Sequence, residues 1–410
     1  MAQDPGNIRI ADFTYDLPGD RIARYPLTER DSSKLLVWNG SEISDRIFRD
    51  LPGLLASDTL LVFNNTRVIR ARLLFKKEGG AVIEIFCLEP HEPHEFALSL
   101  SSSSGVEWIC LVGNLKRWKS SRLTLMFQVE GIDLELHATR ISTYGDAFRI
   151  RFEWDDLRVT FGEILDLLGH VPIPPYLGRD DEESDRSRYQ TTYARIDGSV
   201  AAPTAGLHFT PSVMIEIGKA GIQKAEVTLH VSAGTFRPVK SEKISDHKMH
   251  TEHFYISKET IHRLRHNNIV AVGTTTVRTL ESIYWLGAAI AGGREPGEKT
   301  PSVSQWEPYD HDSGISRDSA LDHLLEWMDE KVKTEAEVEV EVEFKTDIII
   351  VPGYKFRMVK GLVTNFHQPG STLLLLVAAL TGDDWKDIYS HALASGYRFL
   401  SYGDSMLLIP

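Results

Sequence analysis

The spacing of apolar positions changes character twice along the chain. From residue 8 to 62, short apolar runs are broken by turn signals and end in the strand-like Thr59-Leu60-Leu61-Val62-Phe63, followed directly by the polar quartet Asn64-Asn65-Thr66-Arg67. From 71 to about 152 the runs are short and often alternating, as in 81–86, 123–127 and 133–137, with turn-like breaks at Gly79-Gly80, 101–105 and 144–146. Strands at roughly 8–12-residue spacing with no helical period predict a small all-β, barrel-like domain over 71–152. Beyond it the helical period returns. Thr210-Pro211 reads as a cap with proline at the first helical position, opening a helix that closes near 218–221. Strands are predicted over 225–231 and 268–272, and helices over 277–286 and 372–380. This alternation argues for βαβ units. The expected architecture is an α/β main domain (1–70 and 153–410) into which the β domain (71–152) is inserted.

A second insertion is predicted at 292–347. Residues 292–316 are rich in Gly, Pro, Ser and Asp and read as a loop, and 321–332 as a helix. Then Glu337-Val338-Glu339-Val340-Glu341-Val342-Glu343-Phe344 alternates strictly, with glutamates on one strand face and valines on the other. The expectation is a solvated charged face on an appended element.

Composition narrows the class. The chain has 410 residues, 42% hydrophobic and 25% charged, the profile of a folded protein of two or three domains. Two cysteines, Cys87 and Cys110, cannot form a disulfide framework, and no apolar leader follows Met1, so a reducing cytoplasm is expected. The most apolar stretch, 373–380, is too short to span a bilayer. The net charge of −13 argues against a broadly basic nucleic-acid-binding surface. Residues 322–347 hold ten acids and three lysines, however, so removing their −7 leaves −6 for the rest of the chain. A confined basic patch remains open.

Candidate chemistry falls on turns after predicted strands. Val272-Gly273-Thr274-Thr275-Thr276-Val277-Arg278 reads as a strand, a turn and a helix start. Threonines there would cap free N–H groups, the helix dipole favours an anion by roughly 0.3–1 kcal/mol, and Arg278 adds a fork for carboxylate or phosphate. An ordinary capped turn with Arg278 in a salt bridge fits the same spacing, since the glycines of a phosphate loop are missing. Pro203-Thr204-Ala205-Gly206-Leu207-His208-Phe209 is a loop of small residues that suits close approach of a ligand, or equally a packed turn around a core histidine. The run 229–236 leaves its strand through a Ser/Gly/Thr turn, and 364–371 places His367 at another strand-to-helix turn. His247, His250, Glu252 and His253 crowd into seven residues, but the spacing matches neither a zinc finger nor a His-Glu-x-x-His helix, and predicts a hydrogen-bonded site without metal. Turns this dense in His, Thr, Asn and Arg point to a site rather than to packing.

Taken together, these stretches resemble the S-adenosylmethionine:tRNA ribosyltransferase-isomerase family of queuosine synthesis. The resemblance rests on Asp12-Phe13, Leu17-Pro18, Ile22-Ala23 and Tyr25-Pro26, on 63–68, on Gly169-His170-Val171-Pro172-Ile173-Pro174-Pro175-Tyr176, and on Tyr189-Gln190-Thr191-Thr192-Tyr193. It continues through 201–209, Val227-Thr228-Leu229-His230-Val231, 247–252, 273–282, 363–367 and 397–406, in the family's order. The chain departs from the family pattern at Ser232, usually glycine, at His253, usually aromatic, at 368–370, and in the length of 292–347.

The resemblance implies an α/β domain interrupted by a β-barrel. It also implies transfer and isomerisation of the ribosyl group of S-adenosylmethionine onto the aminomethyl group of a 7-deazaguanine (preQ1) at the wobble position of tRNA, releasing adenine and methionine. S-adenosylmethionine would be a co-substrate, with no prosthetic group and no metal. The partner would be tRNA and not a membrane, and the protein a monomer. Such chemistry needs a base beside a sulfonium and a donor for departing adenine, each worth about 10²–10⁴-fold. His208, His230, His250 and His367 are the acid/base candidates. Arg278 with Thr274, Thr275 and Thr276 would hold a carboxylate or phosphate, and Thr204 and Gly206 would line the co-substrate loop. Glu252, Glu281 and Asp404 would orient cations or the incoming amine, while Asn65 and Arg67 would touch substrate. Lys116, Arg117, Lys119 and Arg122, with Arg67, Arg70 and Arg72, form the candidate RNA patch. The competing readings are the same transfer onto another acceptor, a metallohydrolase built on His247, His250 and Glu252, and a non-catalytic RNA-binding module.

Overall fold

The computed structural model describes residues 5–77, 79–232, 239–294, 300–310, 313–331 and 341–410. Ten strands form one mixed sheet, in the order Ser302–Val303, Val342–Thr346, Glu252–Ile256, Gln223–Leu229, Thr59–Asn64, Asn268–Val272, Val359–Asn365, Ser405–Leu408, Lys34–Trp38 and Ile43–Ile47. The central four are mutually parallel. Parallel strands are covered on both faces, and Thr59–Asn64 is accordingly buried at all six positions. One face packs against the helices Thr274–Ala291, Arg317–Lys331 and Thr372–Thr381, and the other buries Phe48, Phe209, Val213 and Ile217.

A second sheet of six antiparallel strands runs from Arg72–Lys76 to Ala147–Glu153 in sequence. Its edge strands, Arg72–Lys76 and Arg122–Val129, approach each other, so the sheet is nearly closed around its own core of Phe75, Trp108, Leu136 and Phe152. A parallel pair, Thr66–Val68 with Ile196–Ser199, lies just before it. The short-strand texture of 71–152 thus corresponds to a barrel-like sheet. No helix among the described residues is long and apolar enough to cross a membrane.

Local chemistry sets the helix starts. Thr210 accepts the Val213 N–H at the head of Pro211–Lys219, and Ser371 accepts the Leu374 N–H at the head of Thr372–Thr381. The helix predicted over 277–286 is longer, Thr274–Ala291, and begins at Gly273, whose φ of +91° suits only glycine. The three threonines therefore lie inside the helix rather than capping it, and the Thr276 hydroxyl donates back to the Val272 carbonyl at 2.8 Å.

The 292–347 segment is more integrated than its sequence suggests. Helix Arg317–Lys331 buries Ala320, Leu321, Leu324, Leu325 and Met328 in the main core. Strand Val342–Thr346 pairs with Glu252–Ile256 and Ser302–Val303, burying Phe344 and Thr346, while Glu343 hydrogen-bonds His253 at 2.6 Å. The element is thus paired into the sheet rather than merely appended, while of its described glutamates Glu341 is exposed and Glu343 half-buried. The earlier half of the alternation, 337–340, and Ala233-Gly234-Thr235-Phe236 of the predicted turn lie outside the described residues, as do 295–299 and 311–312 of the predicted loop and 332 of the predicted helix.

Candidate active site

Three consecutive residues leaving strand Gln223–Leu229 open onto three cavities. His230 lines the largest, of about 1000 Å³, Val231 a cleft of about 70 Å³, and Ser232 a recess of about 30 Å³. All lie beyond the carboxyl ends of the parallel strands, where open α/β sheets take their ligands.

The cleft is walled by Thr204, Thr274, Thr275, Asn365, His367 and Ser401. The Asn365 amide donates to the Leu400 carbonyl at 3.1 Å and to Nε2 of His208 at 3.3 Å, which fixes its orientation. Its Oδ1 is then a buried acceptor with no protein partner among the described residues. His367 Nε2 lies 3.0 Å from the Thr364 hydroxyl, and burial pulls its pKa down to about 3, so the ring is neutral.

The recess shares Thr275 with the cleft and adds His250, Glu252 and Arg278. Arg278 reaches it from the second turn of Thr274–Ala291. Its Nε donates to the Ile348 carbonyl at 3.0 Å and one terminal nitrogen pairs with Glu252. The other, Nη2, is buried without a partner among the described residues, and so is the Ser232 hydroxyl. Two buried donors are thus left open near the start of this helix. Because Glu252 is held by Arg278, it is withdrawn from any metal constellation with His247 and His250. The His/acid group whose ligand atoms do lie within 4.8 Å of one another is His94, His253 and Glu343.

The large cavity is lined by Arg67, Phe96, Arg195, Thr228, His230 and Tyr255, among others. His230 stacks on Phe96, with ring centroids 4.1 Å apart and planes inclined by 21°, and burial lowers its pKa to about 3. The arginines here are already compensated, Arg67 by a double bond to Asp197 (Nη2 to Oδ2, 2.6 Å) and Arg195 by Glu226.

Other sequence candidates fall elsewhere. His208 forms the floor of a fourth recess lined also by Arg30, Arg188 and Arg398. Asp404 accepts the backbone N–H groups of Lys34 (3.1 Å) and Arg398 (2.8 Å), bracing the C-terminal turn. Glu281 lines none of these cavities. It accepts from the Tyr354 hydroxyl and from the N–H groups of Arg357, Met358 and Val359 at 2.8–3.0 Å, a structural arrangement. Asn65 joins strands through Thr228 at 2.8 Å and Glu226 at 3.3 Å. Lys116, Arg117, Lys119 and Arg122 are exposed on the barrel, with no carboxylate in ion-pair distance among the described residues, and they line none of the four cavities above. Arg70 lines the large cavity, and Arg72 is paired with Glu84 at 2.6 Å. A Cβ on Gly206 would lie 2.0 Å from the Tyr193 hydroxyl oxygen, so close packing explains this glycine. Gly206→Ala is expected to destabilise the protein by about 1–3 kcal/mol in urea unfolding without raising the KM for the co-substrate.

Residues 10–408 match the model of a family described as queuosine biosynthesis protein. The chain belongs to that family. Queuosine biosynthesis proteins similar to it include the S-adenosylmethionine:tRNA ribosyltransferase-isomerase of Treponema denticola, 37% identical over 97% of this chain and 99% of the relative. The enzyme of the same name from Azoarcus sp. is 38% identical over 98% and 97%. Among solved structures, the S-adenosylmethionine tRNA ribosyltransferase of Thermotoga maritima is 30% identical over 97% of this chain and all of that one, with a TM-score of 0.45. Sequence reasoning did not single out Asn365, Phe96 or the arginines around His208, which line these cavities. Asn365 stands beside His367 in a turn already marked as chemical, so its position was a usable signal. Phe96 has none, because its neighbour His230 is 134 positions away.

Proposed function

We propose that this chain is an S-adenosylmethionine:tRNA ribosyltransferase-isomerase. It moves and isomerises the ribosyl group of S-adenosylmethionine onto the aminomethyl group of a 7-deazaguanine at the wobble position of tRNA, releasing adenine and methionine. The observation that carries this reading is the pair of unpartnered buried donors, Arg278 Nη2 and Ser232 Oγ, in a recess that shares Thr275 and Leu373 with the cleft of Asn365 and His367. The first pair receives the methionine carboxylate. The Asn365 Oδ1 acceptor suits an N–H donor of adenine or of the incoming amine.

Of the four histidines considered as acid or base, His367 lines the cleft and His250 the recess beside it, so the proton transfers are assigned to them. His367, neutral and buried, offers a lone pair rather than a proton near neutral pH. The large cavity on the other side of Val231 gives the RNA an approach, with Phe96, His230 and Tyr255 as ring surfaces for an unstacked base.

The test is incubation with S-adenosylmethionine and tRNA carrying the aminomethyl-deazaguanine, followed by nucleoside mass analysis. Adenine and epoxyqueuosine should appear in equal amounts. Neither adenine nor a modified nucleoside would sink the reading.

A further inference from the structure

The fourth recess lies beside the cleft, the two sharing Ser401, yet its chemistry differs. Three guanidinium groups line it, those of Arg30, Arg188 and Arg398. Arg30 donates to the carbonyls of Gln190 and Ser187, both at 2.6 Å, and Arg188 to those of Leu27 and Thr28. Arg398 donates to the Tyr25 carbonyl at 3.3 Å, and its Nε lies 3.7 Å from Asp404. Carbonyls orient a guanidinium but do not neutralise it. Among the described residues, only Arg398 has a carboxylate in ion-pair distance, because nearby Asp185 is taken by Arg179 at 2.6 and 2.8 Å.

The floor adds no negative charge. The Asn365 amide donates to Nε2 of His208, so that nitrogen carries the lone pair and Nδ1–H donates to the Ser33 oxygen at 2.9 Å. Ser33 also lines the recess. Burial, with Arg398 and Arg30 nearby, lowers the His208 pKa to about 4 and keeps the ring neutral. Arg30 and Arg188, without a carboxylate partner among the described residues, thus leave about two positive charges at the mouth of a shallow recess of about 20 Å³.

We propose that this recess is a phosphate-recognition site, which takes a backbone phosphodiester of the RNA and sets the modified nucleotide over the adjoining cleft. This rests on the ribosyl-transfer reading above. Guanidinium forks match phosphate oxygens two at a time, and contacts of this kind position a nucleic acid without reading its sequence. A carboxylate of the co-substrate is better served at Arg278, on the far side of the cleft. The recess is also separate from the exposed basic turn of the barrel, so it accounts for RNA binding by a chain of net charge −13 without a broad basic face.

The experiment measures binding of the modified anticodon stem-loop to Arg188→Gln and Arg188→Lys over a salt series, together with steady-state kinetics and melting temperatures. Arg188→Gln should weaken RNA binding roughly five- to tenfold and flatten the slope of log Kd against log salt by about 0.7–0.9, the contribution of one phosphate. The KM for S-adenosylmethionine should stay as in the wild type. Arg188→Lys should keep the slope and lose only part of the affinity. Inorganic phosphate should compete with RNA in the wild type and less in Arg188→Gln; if it instead leaves RNA binding untouched while occupying the recess, free phosphate is the occupant and the proposal fails. An unchanged salt slope with a lowered melting temperature would make these arginines structural staples and overturn it, as would a raised KM for S-adenosylmethionine alone. If Arg188→Gln does not fold, competition by inorganic phosphate in Arg30→Lys and Arg188→Lys decides: the proposal expects it weakened in both, and competition as strong as in the wild type overturns it. Wild-type protein that releases no adenine refutes the enzymatic reading instead, and leaves the phosphate competition to be judged separately.

Discussion

Arg278→Ala is expected to abolish turnover and to cost about 3–5 kcal/mol of stability, because it strands the Glu252 carboxylate in a site that is 2% exposed. The two losses have different causes and can be separated. Arg278→Met combined with Glu252→Gln removes both charges, so no uncompensated ion is left buried, and most of the lost stability should return. Activity should not return, since the receptor for the methionine carboxylate is gone. Thermal unfolding of the single and double variants, with adenine release as the kinetic readout, checks both parts. A double variant that regained stability and also kept more than about a tenth of wild-type kcat/KM for S-adenosylmethionine would remove Arg278 from the site, since a charge-assisted hydrogen bond is worth about 1.5–3 kcal/mol and its loss more than tenfold in rate.

The second large effect is a loss of stability between pH 7 and pH 5. His208, His230 and His367 are buried, and burial lowers their pKa values to about 4, 3 and 3. An unfolded histidine titrates near 6.5, so below that pH the unfolded chain binds protons that the folded chain refuses. The unfolded state then holds more protons, and stability rises with pH across this window. The contribution is complete above about 6.5 and falls as the pH drops toward the folded values. At pH 5 each histidine costs about 2 kcal/mol relative to neutral pH. Urea unfolding at pH 5, 6 and 7 should show the trend, and His230→Phe or His367→Gln should each remove roughly a third of it. A slope that neither substitution changes would mean that these rings take up protons freely in the folded protein. Asp156, whose carboxyl is held down to about 2 by Arg158, adds its own effect only at more acid pH.

Much of the architecture was legible without a structure, for local reasons. Alternation over a few residues marks the strands of 71–152, and Thr210-Pro211 carries its cap within three positions. The strand-to-helix turns that hold His367 and Arg278 were visible for the same reason. That the 292–347 segment is built into the sheet was not legible, because the partner strand that pairs with it and takes the Glu343 contact lies about ninety residues earlier.

The sequence alone therefore determined the mixed α/β and barrel-like organisation, the turns that carry chemistry, and through its long match the family to which the chain belongs. Period, caps and motif order are properties of neighbouring residues, and they survive without a fold. Only the tertiary structure decided which polar atoms remain unpartnered. Arg278 meets Glu252 and Ile348, Asn365 meets His208, and Glu281 meets the 357–359 backbone across 26 to 157 positions. Those long-range contacts make Glu281 structural, leave Arg278 Nη2 and Asn365 Oδ1 open, and gather Arg30, Arg188 and Arg398 around one neutral histidine. An atom's freedom to bind a ligand depends on what the rest of the chain leaves unsatisfied, and that is settled only when distant segments pack.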